Sequence, residues 1–188
     1  MKQAKVLSEN ELRRVLAVIA NMRLASRNRL AVMLSYYAGL RVGEIAALKQ
    51  TDVIDSQGKV RDSITLRAEI TKADEARTIF INAKLRREIE RYVSGIPTVK
   101  STAPLLQTQK RTAFSANTLC QLFGQIYAMA GVDGATSHSG RRWFITKLAH
   151  SGVSAKVIMT LAGHKHLSTT QRYIDVNDEM MKAAVEIL

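Results

Sequence analysis

The spacing of hydrophobic positions changes twice along the chain. Leu12, Val15, Leu16 and Ile19 recur at helical intervals behind Ser8-Glu9-Asn10-Glu11, a capping-box pattern that starts a helix near residue 9. A more apolar helix is predicted from about Arg27 to Tyr37, with Gly39 as its stop, and Val42 to Leu48 reads as a short third helix. Between Asp52 and Ile81 the period falls to two. Ile64, Leu66, Ala68 and Ile70 alternate with Thr65, Arg67, Glu69 and Thr71, as in a half-buried strand. The polar run from Lys72 to Arg77 interrupts this pattern and Thr78 to Ile81 resumes it, so a small antiparallel sheet is expected, with Lys72 where strand passes into turn.

Helical spacing returns at about 84–93 and over Ser115–Ala130, where Leu119, Leu122, Phe123 and Ile126 share a side. Further helices are predicted at about 139–151, 154–162, 168–174 and 178–187, the last behind Asn177 as N-cap. Gly95 and Pro97 open an irregular basic stretch to Thr112, the best candidate for a flexible loop, and 131–137 forms another loop. Helices, a small sheet and then more helices make an α+β fold in which helix dominates.

Length and composition sharpen this picture. A chain of 188 residues, 46% of them hydrophobic, suits one compact domain with a real core. Basic residues outnumber acidic ones 28 to 16, giving a formal charge of +12 and a pI near 10.1, and they are spread along the whole chain. That balance points to a polyanion-binding face, because each phosphate contact releases counterions. Aromatic residues make up only 5%, which favours duplex binding through phosphates over base stacking on an aromatic platform. The single cysteine, Cys120, excludes an internal disulfide framework and a multi-cysteine zinc site, and its apolar helical setting reads as core filling. No run approaches the ~20 apolar residues that span a bilayer. Met1–Lys5 lacks an apolar secretory segment, so a cytoplasmic location is expected.

Six residues carry candidate chemistry, with Glu44 in support. Arg41 and Arg141 are of the type that brackets two oxygens of a phosphoryl group, since guanidinium donates in a fork and stays charged. Glu44 lies one turn after Arg41, where a salt bridge would orient it. His138 stands three residues before Arg141 at a helix start, and His164 follows Gly163, where a sharp turn would present its ring. Tyr173 has an ordinary pKa of ~10, so about 0.1% is ionised at pH 7 and nucleophilic use needs a base or a positive field. Lys72 in a hairpin turn is a candidate acid for a leaving oxygen. Each has an ordinary alternative: a helix cap, a surface ion pair, a packing tyrosine or a solvated lysine. His164-Lys165-His166 suggests a metal pair, but no carboxylate or cysteine is near in sequence, and neither a metal nor another cofactor is expected.

The order and spacing of these residues resemble the tyrosine recombinase (phage integrase) family, specifically its catalytic domain. Gly39-Leu40-Arg41-Val42-Gly43-Glu44 looks like the family's first arginine motif, and Thr71-Lys72 with Arg77-Thr78-Ile79-Phe80-Ile81 is similar to its hairpin lysine segment. His138-Ser139-Gly140-Arg141 matches its His-x-x-Arg motif, and Leu161-Ala162-Gly163-His164 through Thr170 to Tyr173 matches its terminal motif. The match covers about residues 8–175.

The resemblance implies a mostly helical α+β fold with a small three-stranded antiparallel sheet. It also implies attack by Tyr173 on a DNA phosphate to form a 3′-phosphotyrosyl bond, with Arg41, Arg141 and His164 stabilising the transition state. Lys72 would protonate the 5′ oxygen and His138 would assist proton transfer at Tyr173. Double-stranded DNA is the implied partner, bound by a homotetramer that is a monomer or dimer when free, with no role for a membrane. The helix at about 178–187 would be exchanged between protomers, and the family's usual N-terminal core-binding domain is expected to be absent, as in a fragment or a minimal recombinase. Gly140 and Arg142 stand where the family typically has Leu and His, and Gly140 is expected to loosen the packing behind Arg141. A topoisomerase-like nicking and closing enzyme and a non-catalytic DNA-binding regulator of the same fold remain the alternatives.

Overall fold

The computed structural model describes residues 3–71, 75–96, 100, 102–174 and 178–186. The first helix, α1 (Glu9–Ala20), starts where its capping box dictates. The Ser8 hydroxyl accepts the Glu11 N–H at 3.2 Å and the Glu11 carboxylate accepts the Ser8 N–H at 2.9 Å. Its Leu12, Val15 and Ile19 face inward. Helix α2 (Ala25–Ala38) is buried nearly all round, because it runs through the centre of the domain with Leu30 to Leu34, Tyr36 and Ala38 in the core. Gly39, at φ +62°, ends it in a left-handed C-cap. The short α3 (Val42–Ala47) and α4 (Gln50–Val53) follow.

Strands β1 (Ser63–Leu66) and β2 (Arg77–Phe80) pair antiparallel, with Ser63 opposite Phe80 and Leu66 opposite Arg77. Among the described residues this sheet has two strands rather than three, and Ile54 meets Val60 only through an isolated bridge. The alternating run predicted to Ile70 stops at Leu66 because the chain coils into a 3₁₀ turn, Ala68–Ile70. Thr71 then closes the turn. Its hydroxyl lies 3.0 Å from the Ala68 carbonyl and 2.9 Å from the Glu75 carbonyl, and it accepts the Glu75 N–H at 3.2 Å.

Five more helices complete the layers up to Tyr173: α5 (Ala83–Val93), α6 (Ala116–Met129), α7 (Ser139–His150), α8 (Ala155–Ala162) and α9 (Leu167–Gln171). Helices α1, α5 and α7 pack around α2, while α6 lies on α1 and α3. A smaller cluster of Ile145, Ala149, Ile158 and Ala162 joins α7 to α8. The last helix, α10 (Asp178–Val185), leaves Met181 and Val185 exposed. No described helix is long and apolar enough to cross a membrane.

Four further expectations change. Helix α9 ends at Gln171, so Tyr173 lies beyond it in a turn instead of inside a helix to residue 174. The supposedly flexible basic stretch is anchored where it is described. Leu105 and Leu106 are buried, the Leu105 N–H reaches the Leu48 carbonyl at 2.7 Å, and the Gln50 N–H reaches the Ala103 carbonyl at 3.0 Å. Cys120 is exposed rather than core-filling, since α6 turns Leu119, Phe123, Ile126 and Tyr127 inward.

Gly140 tightens rather than loosens the packing behind Arg141. A Cβ there would lie 2.5 Å from Ser35 Oγ and 2.8 Å from Tyr36 Cδ2, so the missing side chain lets α7 approach α2. Gly140→Ala should therefore lower stability by ~1–3 kcal/mol through overpacking. Denaturant unfolding checks this, and an unchanged midpoint would show that α7 does not need the close approach.

Candidate active site

The site is built around the C-terminus of α8. The last carbonyls of a helix have no partner within it and carry the negative end of its dipole, so they attract cations. Here three consecutive carbonyls each receive a different arginine. Leu161 accepts from Arg77 Nη1 at 2.6 Å, Ala162 accepts from Arg141 Nη2, and Gly163 accepts from Arg41 Nη2 at 3.2 Å. The arginines come from the start of β2, from α7 and from the N-cap of α3, so one helix end gathers three distant segments.

Gly163 makes this possible. It sits at φ +62°, and a Cβ on it would meet Arg77 Cδ at 2.6 Å. The Gly163 N–H bonds the Thr160 carbonyl at 3.1 Å and the His164 N–H bonds the Met159 carbonyl at 3.0 Å, the paired bonds of a Schellman cap. The chain therefore reverses direction immediately before His164.

Glu44 provides the second anchor. It is only 1% exposed and stands one turn into α3. Its carboxylate accepts the Arg41 N–H at 2.8 Å, Arg41 Nη1 at 2.9 Å and Arg77 Nη2 at 2.6 Å. The expected Arg41–Glu44 pair is thus present, but the carboxylate also binds a second arginine, Arg77. Arg141 instead donates Nη1 to the Gly39 carbonyl at 2.6 Å, and so bridges the C-terminal ends of α2 and α8.

The result is a buried excess of positive charge, with three guanidiniums beside one carboxylate. Burial, then the charges of Arg41 and Arg77, pulls Arg141 down to about 9 from 12.5. Burial is also the main cause of a downward shift at Arg77. Both remain cationic near neutral pH, and a bound phosphate would relieve the strain of holding them together. His164 responds to the same field. Burial, then Arg141, Arg41 and Arg77, pushes its imidazole down to about 4 from 6.5, so the ring is neutral at pH 7. Its Nδ1 lies 2.8 Å from the Thr170 hydroxyl. A proton donated by Thr170 to Nδ1 leaves the ring N–H on Nε2, free to donate to an oxyanion.

Tyr173 is half-buried just beyond α9, its N–H bonded to the Thr170 carbonyl at 2.9 Å. Its ring stacks on His164, with centroids 6.0 Å apart and planes 20° from parallel. Arg41, Glu44, Arg141, His164 and Tyr173 are therefore brought together. His138 is exposed at the N-cap of α7, one turn before Arg141. Lys72 lies outside the described residues. Its neighbours Thr71 and Glu75 line a cleft of about 200 Å³ together with Arg41, Arg77, Gly163 and His164. Among the described residues, no group of three or more His, Cys, Asp or Glu side chains is placed to hold a metal ion.

Arg77 is the member that sequence reasoning missed. Its partners lie 33 and 84 residues away, beyond any local pattern. The available signal was an arginine at the mouth of the strand Thr78-Ile79-Phe80-Ile81, where a long cation needs a buried acceptor. Chemically, the set can stabilise a phosphoryl transition state with guanidinium and imidazole donors. It also places a phenol beside that positive field, as an activated oxygen nucleophile requires.

Residues 5–180 match the model of the phage integrase family. The chain is 33% identical to the tyrosine recombinase XerA of Pyrococcus horikoshii over 186 residues, covering 97% of this chain and 60% of that protein. It is 35% identical to the tyrosine recombinase XerA of Thermococcus kodakarensis over 187 residues, covering 97% and 62%. The chain thus spans about three fifths of the length of these relatives. In fold it is similar to a crystal structure of XerA recombinase, with a TM-score of 0.76 at 23% identity, covering 98% of this chain and 63% of that one. It is also similar to the Tn1549 transposon integrase in complex with a circular intermediate DNA, with a TM-score of 0.81 at 18% identity, covering 100% and 67%.

The neutral state of His164 has a measurable consequence. The unfolded ring, near 6.5, takes up a proton before the folded ring, near 4, so folding stability should fall as pH drops from about 6.5 to about 4. Denaturant midpoints across that window should slope less in His164→Gln. Equal slopes would mean that the site does not hold His164 neutral.

Proposed function

Because the chain belongs to the phage integrase family, we propose that it is the catalytic unit of a site-specific DNA recombinase that cuts and rejoins strands through a 3′-phosphotyrosyl bond. One observation carries the reading: the three arginines anchored at the end of α8 surround His164, which stacks on Tyr173. The names of the relatives and the DNA held by a structural neighbour point the same way.

In this reading the Tyr173 oxygen attacks the scissile phosphorus and the 5′ oxygen leaves. Arg41, Arg141 and His164 donate to the non-bridging oxygens as negative charge builds on them. His138 takes the Tyr173 proton and Lys72 delivers one to the departing 5′ oxygen, giving a free 5′-hydroxyl. The new phosphotyrosyl ester retains the energy of the phosphodiester, so a 5′-hydroxyl from a partner strand can reverse the step without ATP. Glu44 and Arg77 orient the cations and do not touch the substrate. Duplex DNA is the substrate, bound through phosphates by the basic surface of a homotetramer. The exposed Met181 and Val185 of α10 supply an apolar contact to a neighbouring protomer in that assembly.

The test is incubation in EDTA with a pool of nicked suicide duplexes randomised around the nick. A covalent protein–DNA adduct is expected, absent in Tyr173→Phe and formed ~10²–10³-fold more slowly in Arg141→Ala. DNA binding with no adduct would favour a purely binding role. Deleting residues 178–188 should leave the thermal midpoint of the free protein in place and abolish higher assemblies on DNA by sedimentation. A collapse of the midpoint would show instead that α10 serves its own domain.

A further inference from the structure

Arg142 follows Arg141 on α7 but serves a different set of neighbours. Its Nη1 donates to the Ala4 carbonyl at 2.6 Å, and its guanidinium carbon lies 5.8 Å from the centroid of the Tyr173 ring. Its Nε is buried with no hydrogen-bond partner among the described residues. A guanidinium can hold both neighbours at once, because it donates in its plane and presents a cationic face to a ring.

The segment before α1 is itself held in place. The Lys5 N–H donates to the Gly134 carbonyl at 3.0 Å, in the loop leading to α7. Residues 4 and 5 are thus clamped between that loop and Arg142. Tyr173, in turn, has no helix around it. The contacts that hold it include one backbone bond to Thr170, the stack on His164, the small α7–α8 cluster and Arg142. A single side chain therefore connects the segment entering the domain to the ring that enters the chemistry.

We propose that Arg142 is a positioning residue for Tyr173, and that through it the placement of the nucleophile depends on where the segment before α1 lies. The proposal rests on Tyr173 being the nucleophile. It assigns a use to the residue that stands where the family typically has histidine. Displacing residues 4 and 5 releases Arg142 and loosens Tyr173, while docking them locks it.

The experiment uses the full chain carrying ¹³C-labelled tyrosine, with the Tyr173 ring signal identified by its loss in Tyr173→Phe. Lys5→Pro removes the N–H that bonds Gly134, whereas Lys5→Ala keeps it and loses only the ion pair from Lys5 to Glu11. Lys5→Pro should move the Tyr173 signal and Lys5→Ala should not. With Arg142→Gln already present, Lys5→Pro should move it no further.

On the randomised nicked-duplex pool, Arg142→Gln should slow adduct formation at saturating DNA by about three- to tenfold. The half-saturating DNA concentration should stay within about twofold of wild type, because Arg142 acts on the nucleophile and not on DNA binding. The proposal is overturned if Lys5→Pro leaves the Tyr173 signal unmoved in the otherwise natural chain, a comparison that needs no Arg142 variant to fold. It is equally overturned if the shift persists in full without Arg142, or if Arg142→Gln forms adduct at the wild-type rate. An adduct that survives Tyr173→Phe would sink the nucleophile assignment instead, so the two failures are distinct.

Discussion

Three carbonyl oxygens at the end of an eight-residue helix organise this domain. Those of Leu161, Ala162 and Gly163 would otherwise face a buried site unpaired, and each receives one arginine. The arrangement satisfies two needs together. The helix end gains donors, and guanidiniums that would be costly to bury gain acceptors without a carboxylate for each. Glu44 then locks Arg41 to Arg77, so that the first helical motif and the hairpin are set by one carboxylate. Cations fixed in this way need little rearrangement when an anion arrives, which is the condition for strong electrostatic stabilisation.

The remaining parts of the site fall on either side of this fixed block. On one side the Schellman cap at Gly163 turns the chain so that His164 follows directly, and burial, then the surrounding charge, keeps its ring neutral. On the other side Tyr173 hangs beyond the end of α9, half-buried against the small α7–α8 cluster. The two halves differ in kind. The charged half is tied by short bonds to backbone, while Tyr173 is held largely through the faces of its ring.

Much of this was legible before any coordinates, because the informative signals were local. Arg41 with Glu44, His138 with Arg141 and His164 with Tyr173 are each spaced within a turn or a short motif, and Ser8 with Glu11 marks the first helix within one residue. Two of the misses depended on partners distant in sequence. Arg77 finds Glu44 and Leu161 only after folding. Leu105 and Leu106 turn a basic, glycine- and proline-flanked stretch into an anchored segment because Leu48 waits to pair with it. The alternation to Ile70 suits a 3₁₀ turn as well as a strand, and the Thr71 hydroxyl bonds that turn at the Ala68 carbonyl. Cys120 lies one position, about 100°, off the inward face of α6, so its apolar neighbours in sequence do not bring it into the core.

The carbonyl fan at the end of α8 also limits what the chain can change. Each added residue turns a helix by about 100°, so lengthening α8 by one would swing the three acceptors away from their arginines together. Side chains on the outer face of that helix can vary freely by comparison. The site thus fixes the phase of a helix as firmly as it fixes the identity of any residue, and a single insertion within α8 would disperse the three arginines with every candidate side chain still present.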